Sequence, residues 1–258
     1  HLLSGGHLGV KKTFEKLRSR YYWTNMFKSV EDWCRSCVTC LGRKNPAPLT
    51  QPTTPLPIPA NPFEMVSVDV LGPFLPANGT SNRYIVVYCD HLTRWVEAVA
   101  FRTLNSLNIA RMLVERIMCR HGAPKMLLSD RGAPFLSALA NEVYRILRVK
   151  KLHTAAYRPQ TNGLVERFNA TIATMLSMFT DSQHKDWDRY LPYLVFAYNT
   201  SVHPGTKESP FFMLYGREAR LPLDVMLLPD EPHEQRSVEE YCAELVKGLR
   251  LAHEDGRE

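Results

Sequence analysis

Apolar residues in the first forty positions recur at the spacing of an amphipathic helix. Four of them form one face of the first predicted helix: Val10, Phe14, Leu17 and Tyr21. Side chains three and four positions apart lie on the same side of a helix, so this stripe can pack against another surface. A second, shorter helix is predicted from Met26 to about Cys37. Residues 9–40 therefore predict a small, mainly helical unit.

A proline-rich segment separates this unit from the rest of the chain. Residues 45–62 contain seven of the 18 prolines. Proline lacks a backbone donor and favours extended backbone, so we predict a fairly stiff linker over these residues.

The pattern changes to that of strands from Met65 onward. Valine alternates with polar side chains over residues 66–70. Residues 83–89 and 95–101 are rich in β-branched and aromatic residues. Turn-forming residues lie between the last two segments, namely Asp90, His91 and Thr93. This arrangement is typical of a three-stranded meander.

Helices and short strands alternate over much of the remaining chain. One apolar face predicts a helix over residues 105–120, which Gly122 and Pro124 end. Strands are predicted over 125–129 and 149–153, and helices over 135–147, 164–179, 187–199 and 209–214. The order predicts an α/β core in which helices flank a mixed five-stranded sheet.

Charge is distributed unevenly along the chain, whose formal net charge is +6. Residues 1–50 carry nine Lys or Arg against three Asp or Glu, whereas residues 230–258 carry four against nine. The basic end favours a polyanionic partner, although a solvated helix face would give the same pattern. The longest apolar runs, such as residues 84–89, are too short to cross a membrane, so no membrane partner is expected.

Cysteine and histidine cluster in the helical unit. Three of the six cysteines lie close together, which fits a metal site in a reducing compartment better than a disulfide framework. Cys37 and Cys40 form a Cys-x-x-Cys pair that can hold tetrahedral zinc, and His1 and His7 can complete the site. Cys34 could compete as a ligand, but it lies inside the predicted helix. The alternative is a metal-free helical hairpin with buried thiols.

Three acidic residues are candidates for a second metal centre. Asp69 lies within a predicted strand, Asp130 follows another strand, and Glu166 lies in the first turn of a predicted helix. Carboxylates on rigid elements can hold two Mg²⁺ ions about 3.5–4 Å apart, as phosphodiester chemistry requires. Taken one at a time, each acid is explained equally well as a charged side chain that faces solvent and binds no metal.

Polar residues around Glu166 are candidates for DNA contacts. Asn162 lies four positions before Glu166 and Asn169 three positions after it, so the three side chains can share one helix face. Together with Arg158 and Gln160 in the preceding loop, these amides are predicted to contact phosphates or bases.

These motifs, in this order, resemble the integrases of gypsy-type LTR retrotransposons and, more distantly, of retroviruses. Residues 6–13 (GHLGVKKT) and 36–40 (SCVTC) are similar to the family's His-His-Cys-Cys zinc domain. The three catalytic blocks of the family resemble residues 67–73 (SVDVLGP), 129–132 (SDRG) and 157–167 (YRPQTNGLVER). Position 158 is Arg where the family usually has His.

The resemblance implies a ribonuclease-H-like core whose catalytic acids, Asp69, Asp130 and Glu166, bind Mg²⁺ or Mn²⁺. Zinc ligands are implied at His1, His7, Cys37 and Cys40. The implied reaction is 3′-end processing of element DNA followed by strand transfer into target DNA. A homo-multimer would carry it out on double-stranded DNA in the nucleus, after a cytoplasmic stage.

The same resemblance divides the chain into four parts: a zinc-binding domain (1–44), the linker (45–62), a catalytic core (63–222) and a truncated, helical C-terminal extension (223–258). Two alternatives stay open for the function. One is an inactive or host-adopted DNA-binding protein that keeps the fold. The other is a ribonuclease H. The zinc motif argues against it, and so does the lack of a set of further acidic residues to surround the metal ions.

Overall fold

The computed structural model describes residues 6–42, 59–130, 132, 135, 137–153, 163–180, 185–227 and 237–257. Its first stretch is helical, as predicted: α1 spans Val10–Arg18, α2 Met26–Arg35 and α3 Val38–Leu41. Phe14 of α1 meets Phe27 of α2 edge to face, with 5.2 Å between the ring centroids, and so joins the two helices. Most of the predicted linker, residues 45–58, lies outside the described residues.

A mixed five-stranded sheet forms the centre of the larger unit. Its strands are β1 Met65–Leu71, β2 Tyr84–Asp90, β3 Val96–Phe101, β4 Met126–Ser129 and β5 Lys150–His153. The strand order is β3-β2-β1-β4-β5. β1, β2 and β3 pair antiparallel as the predicted meander, whereas β4 is parallel to both β1 and β5. The predicted sheet is confirmed, and β1 is its central strand.

Helices flank the sheet. The first of them, α4, spans Ser106–Met112, continues as a π-helical segment over Leu113–Met118 and ends in an α turn over Cys119–His121. The regular helix predicted over residues 105–120 is therefore wrong in its middle. The spacing of hydrophobic residues indicates which face of a helix is buried. It does not indicate whether each backbone amide donates to the carbonyl four residues earlier, as in an α-helix, or five residues earlier, as in a π-helix. Further described helices are α5 Ala138–Ile146, α6 Gly163–Phe179, α7 Trp187–Asn199, α8 Pro210–Tyr215, α9 Pro222–Leu227 and α10 Val238–Asp255.

The two faces of the sheet are covered by different helices. On one face, Ile85 and Val87 of β2 pack with Phe168 of α6 and with residues of α7. On the other face, Val86 and Tyr88 of the same strand pack with residues of α4 and α5. Because successive strand residues point to opposite faces, β2 contributes to both cores. This packing holds α6 across β1 and β2.

The N-terminal helical unit packs against the larger unit. Leu8 is buried in the same apolar cluster as α6 and α7. Arg20 donates from Nε to Asp224 Oδ2 at 3.0 Å and from Nη2 to the Ala219 carbonyl at 2.9 Å. Lys16 Nζ lies 3.0 Å from Thr200 Oγ1. Apolar burial and a solvent-shielded ion pair therefore fasten the two units together.

The helix α10 packs on α8. Gly216, directly after α8, has φ +68°, and a Cβ there would clash with Leu245 Cδ1, so the close approach requires glycine. Ser237 and Glu240 form a capping box at the start of α10. The helical character predicted for the tail is confirmed. Among the described residues, no helix is both long enough and apolar enough to span a membrane.

Candidate active site and metal centre

The strand register brings Asp69 and Asp130 to the same edge of the sheet. β1 and β4 are parallel neighbours, and Ser67 is paired with Leu128. Asp69 and Asp130 each lie two residues further along, so Asp69 near the end of β1 and Asp130 directly after β4 lie on neighbouring segments about 4.8 Å apart. Asp69 is half-buried and Asp130 is exposed.

The helix α6 adds Glu166 to this edge. Asn169 of α6 donates a hydrogen bond from Nδ2 to Asp69 Oδ2 at 2.7 Å, which places the start of the helix over β1. Glu166 lies in the first turn of α6, three positions before Asn169 and on the same side of the helix. The structure thus brings the three predicted acids together.

The electrostatics of Asp69 reflect this grouping. Burial, with the negative charges of Asp130 and Glu166, raises the pKa of Asp69 to about 6, against hydrogen bonds from the Val70 amide and Asn169. A divalent cation would relieve the repulsion between the carboxylates, and oxygen ligands are those that Mg²⁺ prefers. The residues present at this edge therefore fit a divalent cation.

A tight loop orients Asp130. The Gly132 amide donates to Asp130 Oδ1 at 2.9 Å. A Cβ at position 132 would lie 3.0 Å from that same oxygen, at the limit of what side-chain carbons tolerate. The glycine therefore allows the backbone to close onto the carboxylate and to fix its direction.

A second constellation lies in the N-terminal unit. His7 Nδ1 is 3.3 Å from Cys40 Sγ and 3.5 Å from Cys37 Sγ, and the three ligand atoms all lie within 4.8 Å of one another. Nitrogen and sulfur ligands of a tetrahedral zinc lie about 3.6 Å apart, given bonds of about 2.1 and 2.3 Å. The donor set and its spacing fit zinc. Within the described part of the chain, Cys34 is not a member of this group.

Local structure holds these donors in place. Cys37 is the N-cap of the short helix α3, and Cys40 is buried on it. Desolvation acts against ionisation, but hydrogen bonds from Cys40 and Thr39 leave the pKa of the Cys37 thiol below its ordinary value. The His7 ring packs edge to face on Phe179 of α6 at 5.1 Å, so the candidate zinc site touches the larger unit.

Four predicted site residues lie outside the described residues: His1, Arg158, Gln160 and Asn162. Their predicted roles stay predictions. Asn169 was predicted to contact DNA, and the structure shows its amide on Asp69 instead of facing open solvent. Sequence reasoning missed this positioning contact. The three-residue spacing between Glu166 and Asn169 indicated only that both lie on one face of α6, and not that this face meets Asp69.

Comparison with known proteins agrees with these observations. Residues 1–46 match the family model described as the integrase zinc binding domain. The retrovirus-related Pol polyprotein from transposon 412 of Drosophila melanogaster is 28% identical over 220 residues, which cover 85% of this chain and 18% of that protein. Gypsy retrotransposon integrase-like protein 1 of Mus musculus is 29% identical over 248 residues, covering 96% of this chain and 46% of that protein. The chain therefore spans less than half of either relative.

A solved structure shares the fold. The simian T-cell lymphotropic virus intasome, in complex with PP2A regulatory subunit B56 gamma, aligns with a TM-score of 0.58 over 92% of this chain and 77% of that chain, at 17% identity. Similarity at this identity concerns the fold alone. The family model, the relatives and the fold agree that this chain is integrase-like, with an integrase zinc-binding domain followed by a core that has the retroviral integrase fold.

Proposed function

We propose that this chain is the zinc-binding and catalytic part of a retrotransposon integrase. Its reaction would be metal-dependent polynucleotidyl transfer, in which the 3′ ends of element DNA are processed and then joined to target DNA. The observation that carries the proposal is the convergence of Asp69, Asp130 and Glu166 at one edge of the sheet. Similarity to a transposon polyprotein over most of the chain supports it.

Each acid has a defined task in this proposal. Asp69 of β1 and Asp130, directly after β4, would hold divalent cations, and Glu166 would close the site from α6. When bound, Mg²⁺ supplies an activated oxygen nucleophile and neutralises the leaving oxygen. Asn169 fixes the orientation of Asp69, so that the carboxylate needs little rearrangement when the cation and the phosphate arrive.

The zinc site would serve folding and placement. His7, Cys37 and Cys40 would hold zinc, with His1 as the proposed fourth ligand. A unit of this size buries too little apolar surface to be stable without an additional cross-link, and a structural metal ion supplies that cross-link. Leu8 follows His7 directly and is buried against the core, so metal binding at His7 also positions the anchor between the two units.

Substitution of Glu166 tests the catalytic assignment. Glu166→Gln keeps the size of the side chain and removes one anionic ligand. We expect it to abolish Mg²⁺-dependent joining of an element-end duplex to target DNA and to weaken Mn²⁺ binding, measured by electron paramagnetic resonance, while the affinity for duplex DNA is unchanged. Glu142→Gln, an exposed glutamate of α5, is the control. Unchanged transfer and Mn²⁺ binding in Glu166→Gln would contradict the assignment.

We further propose that the partners are element-end and target DNA duplexes, that a homo-multimer acts on them, and that the site of action is the nucleus. A second candidate is an integrase-like protein that binds DNA without catalysis. The observation in its favour is that the mouse integrase-like protein is as similar to this chain as the transposon polyprotein is. DNA binding by a wild-type chain that takes up Mn²⁺ no better than Glu166→Gln would favour this candidate.

A further inference from the structure

A cavity of about 420 Å³ lies at the junction of the N-terminal helical unit with the core. The N-terminal unit contributes Leu17 of α1 and both Val30 and Trp33 of α2 to its lining, and the core contributes Leu221 and Leu223 at the start of α9. We refer to this space as the junction cavity. Because both units supply lining residues, the cavity exists only while they are docked.

The size and the lining of the junction cavity suit an aromatic molecule. An apolar cavity of about 150 Å³ is enough to bind benzene, and ligand sites commonly measure about 300–1,000 Å³, so a bicyclic ring system has room here. Trp23 and Trp33 line the cavity and are 38% and 62% exposed, so they lie where it opens to solvent. Their rings can pack against a flat aromatic ligand as it enters.

Two polar residues of the lining carry a buried oxygen without a partner. The side chain of Asp224 is only 5% exposed, and its Oδ2 accepts hydrogen bonds from Arg20 Nε at 3.0 Å and from the Leu221 amide at 2.7 Å. The Oδ1 oxygen of Asp224 and the hydroxyl of Tyr21 are buried and have no hydrogen-bond partner in the described part of the chain. A buried acceptor without a donor costs free energy, so a ligand that brings a donor to Asp224 would be bound favourably.

The charges in the lining favour a neutral ligand. The guanidinium of Arg20 balances the carboxylate of Asp224 and also donates to the Ala219 carbonyl at 2.9 Å. Lys16 lines the cavity as well, and its ammonium donates to Thr200 Oγ1 at 3.0 Å. Both cations are thus directed at the core. A charged ligand would lose its hydration in this mainly apolar space without gaining a new counter-charge.

We propose that the junction cavity binds a small neutral molecule with an aromatic body and one N–H donor, of which indole is the simplest example, and that this donor bonds to Asp224 Oδ1. The inference goes beyond the proposed function and does not depend on it, since neither the three acids nor DNA takes part. The ligand would contact α1, α2 and α9 together. It would therefore stabilise the docked arrangement of the N-terminal unit on the core.

Fluorine NMR with 5-fluoroindole tests the site on the zinc-loaded chain. Titration should give saturable broadening of the fluorine signal with a Kd of about 1 mM or lower, which a ligand of this size reaches at modest efficiency. The matched probe is 5-fluorobenzofuran, which has the same shape but an oxygen in place of the N–H group. It should bind about tenfold more weakly or worse, because the hydrogen bond to a charged acceptor is lost. Equal affinities of the two probes would overturn the bond to Asp224.

Leu223→Trp tests where the probe binds. Leu223 is half-buried and lines the cavity, so the larger side chain should fill the space and abolish the binding of 5-fluoroindole. Val225→Trp is the matched control, because it adds the same indole to the same helix at a residue that is 60% exposed and lies outside the described lining. It should bind the probe as the wild type does.

Circular dichroism and a zinc content equal to that of the wild type would show that both variants are folded. Saturable binding of 5-fluoroindole to a folded Leu223→Trp, or an equal loss of binding in Val225→Trp, would overturn the junction cavity as the site. So would a wild-type chain that shows no saturable binding.

Hydrogen exchange followed by mass spectrometry tests the effect on docking. In the wild type, 5-fluoroindole should slow amide exchange both in α1 and α2 and in α9, because one ligand contacts all three helices. The same addition to Leu223→Trp should leave exchange unchanged. Protection confined to one of the two units would overturn a ligand shared between them.

A strand-transfer assay on the same samples separates this inference from the proposed function. A chain without transfer activity would contradict the proposed reaction, yet it would leave the binding of 5-fluoroindole and the exchange rates as measured. A chain that transfers strands but does not bind 5-fluoroindole would overturn the junction site and leave the proposed reaction standing.

Discussion

Asn169 donates a hydrogen bond of 2.7 Å from its amide nitrogen to the Oδ2 oxygen of Asp69, a residue one hundred positions earlier in the chain. The other oxygen of Asp69 accepts from the Val70 amide at 2.8 Å. Both oxygens are thus held, and the contact locks the first turns of α6 onto β1. Glu166 lies in the same part of α6, so its position relative to Asp69 depends on this bond.

Removing the Asn169 amide should therefore weaken the catalytic site more than the fold. We expect Asn169→Ala to lower strand transfer or the apparent Mg²⁺ affinity about 10- to 100-fold, the usual effect of losing a group that orients a metal ligand. Transfer measured over a range of Mg²⁺ concentrations should show partial recovery at high Mg²⁺. Thr174→Ala, on the same helix, is the control. Equal activity of Asn169→Ala and wild type at limiting Mg²⁺ would show that the bond is only structural.

Loss of one zinc ligand should unfold the N-terminal domain. Cys40→Ser removes a buried thiolate donor, and we expect it to lose bound zinc and about 4 kcal/mol or more of stability, since metal binding and folding of such units are coupled. Zinc content by atomic emission and urea unfolding would measure both effects. Cys34→Ser is a matched control, because Cys34 lies near the site without joining the group of ligand atoms. If Cys34→Ser lost zinc and Cys40→Ser kept it, Cys34 would be the zinc ligand and Cys40 would not.

Much of the core could be predicted because the residues that a helix or strand buries recur at regular spacing along the sequence. The apolar alternation of Val66 and Val68 predicts β1. The helical spacing of Ile109, Leu113 and Ile117 predicts the helix that begins with α4, and these three side chains are fully buried. An aspartate within a strand also stands out, because a charge on a sheet needs a reason. These are local signals, and they were enough to find the elements that carry Asp69 and Asp130.

Contacts between distant segments have no such local pattern in the sequence. The bond from Asn169 to Asp69 depends on the strand order and on where α6 crosses the sheet, neither of which has a periodic signature. The same is true of Lys12, which looks like an ordinary solvated lysine of an amphipathic helix until the fold places it over Tyr198. The short helix α3 was not predicted as a separate element of the helical unit, because a four-residue helix is formed by its surroundings more than by its own propensity.

Stability should fall on acidification partly because of His91. This side chain is buried and hydrogen-bonded to Ser67 Oγ, and burial, with the charge of Arg94, lowers the pKa of His91 to about 4. The unfolded chain takes up this proton below pH about 6.5, whereas the folded chain does so only near pH 4. The contribution of His91 is therefore complete above pH about 6.5 and is lost as the pH falls to about 4, by about 3 kcal/mol in total.

Comparison of the wild type with His91→Gln isolates this effect. The raised pKa of Asp69 acts in the opposite direction over the same range, and the lowered pKa of His203 acts in the same direction, but both are present in the two proteins. Urea unfolding at pH 7 and pH 4.5 should show a smaller pH effect in His91→Gln. The same pH dependence in both proteins would mean that His91 titrates normally in the folded state.

The ion pair between Arg20 and Asp224 should control how firmly the zinc-binding domain is docked. Their side chains are only 13% and 5% exposed, and the Oδ1 oxygen of Asp224 has no hydrogen-bond partner in the described part of the chain. Because Arg20→Met leaves the Asp224 charge buried and unpaired, we expect a loss of about 3–5 kcal/mol in urea unfolding. The double variant Arg20→Met/Asp224→Leu should regain part of that loss, since no uncompensated charge stays behind.

Arg145→Met, which breaks an exposed ion pair with Glu142, should change stability little. An equal loss in the double variant would mean that packing of the Arg20 side chain, and not its charge, joins the domains.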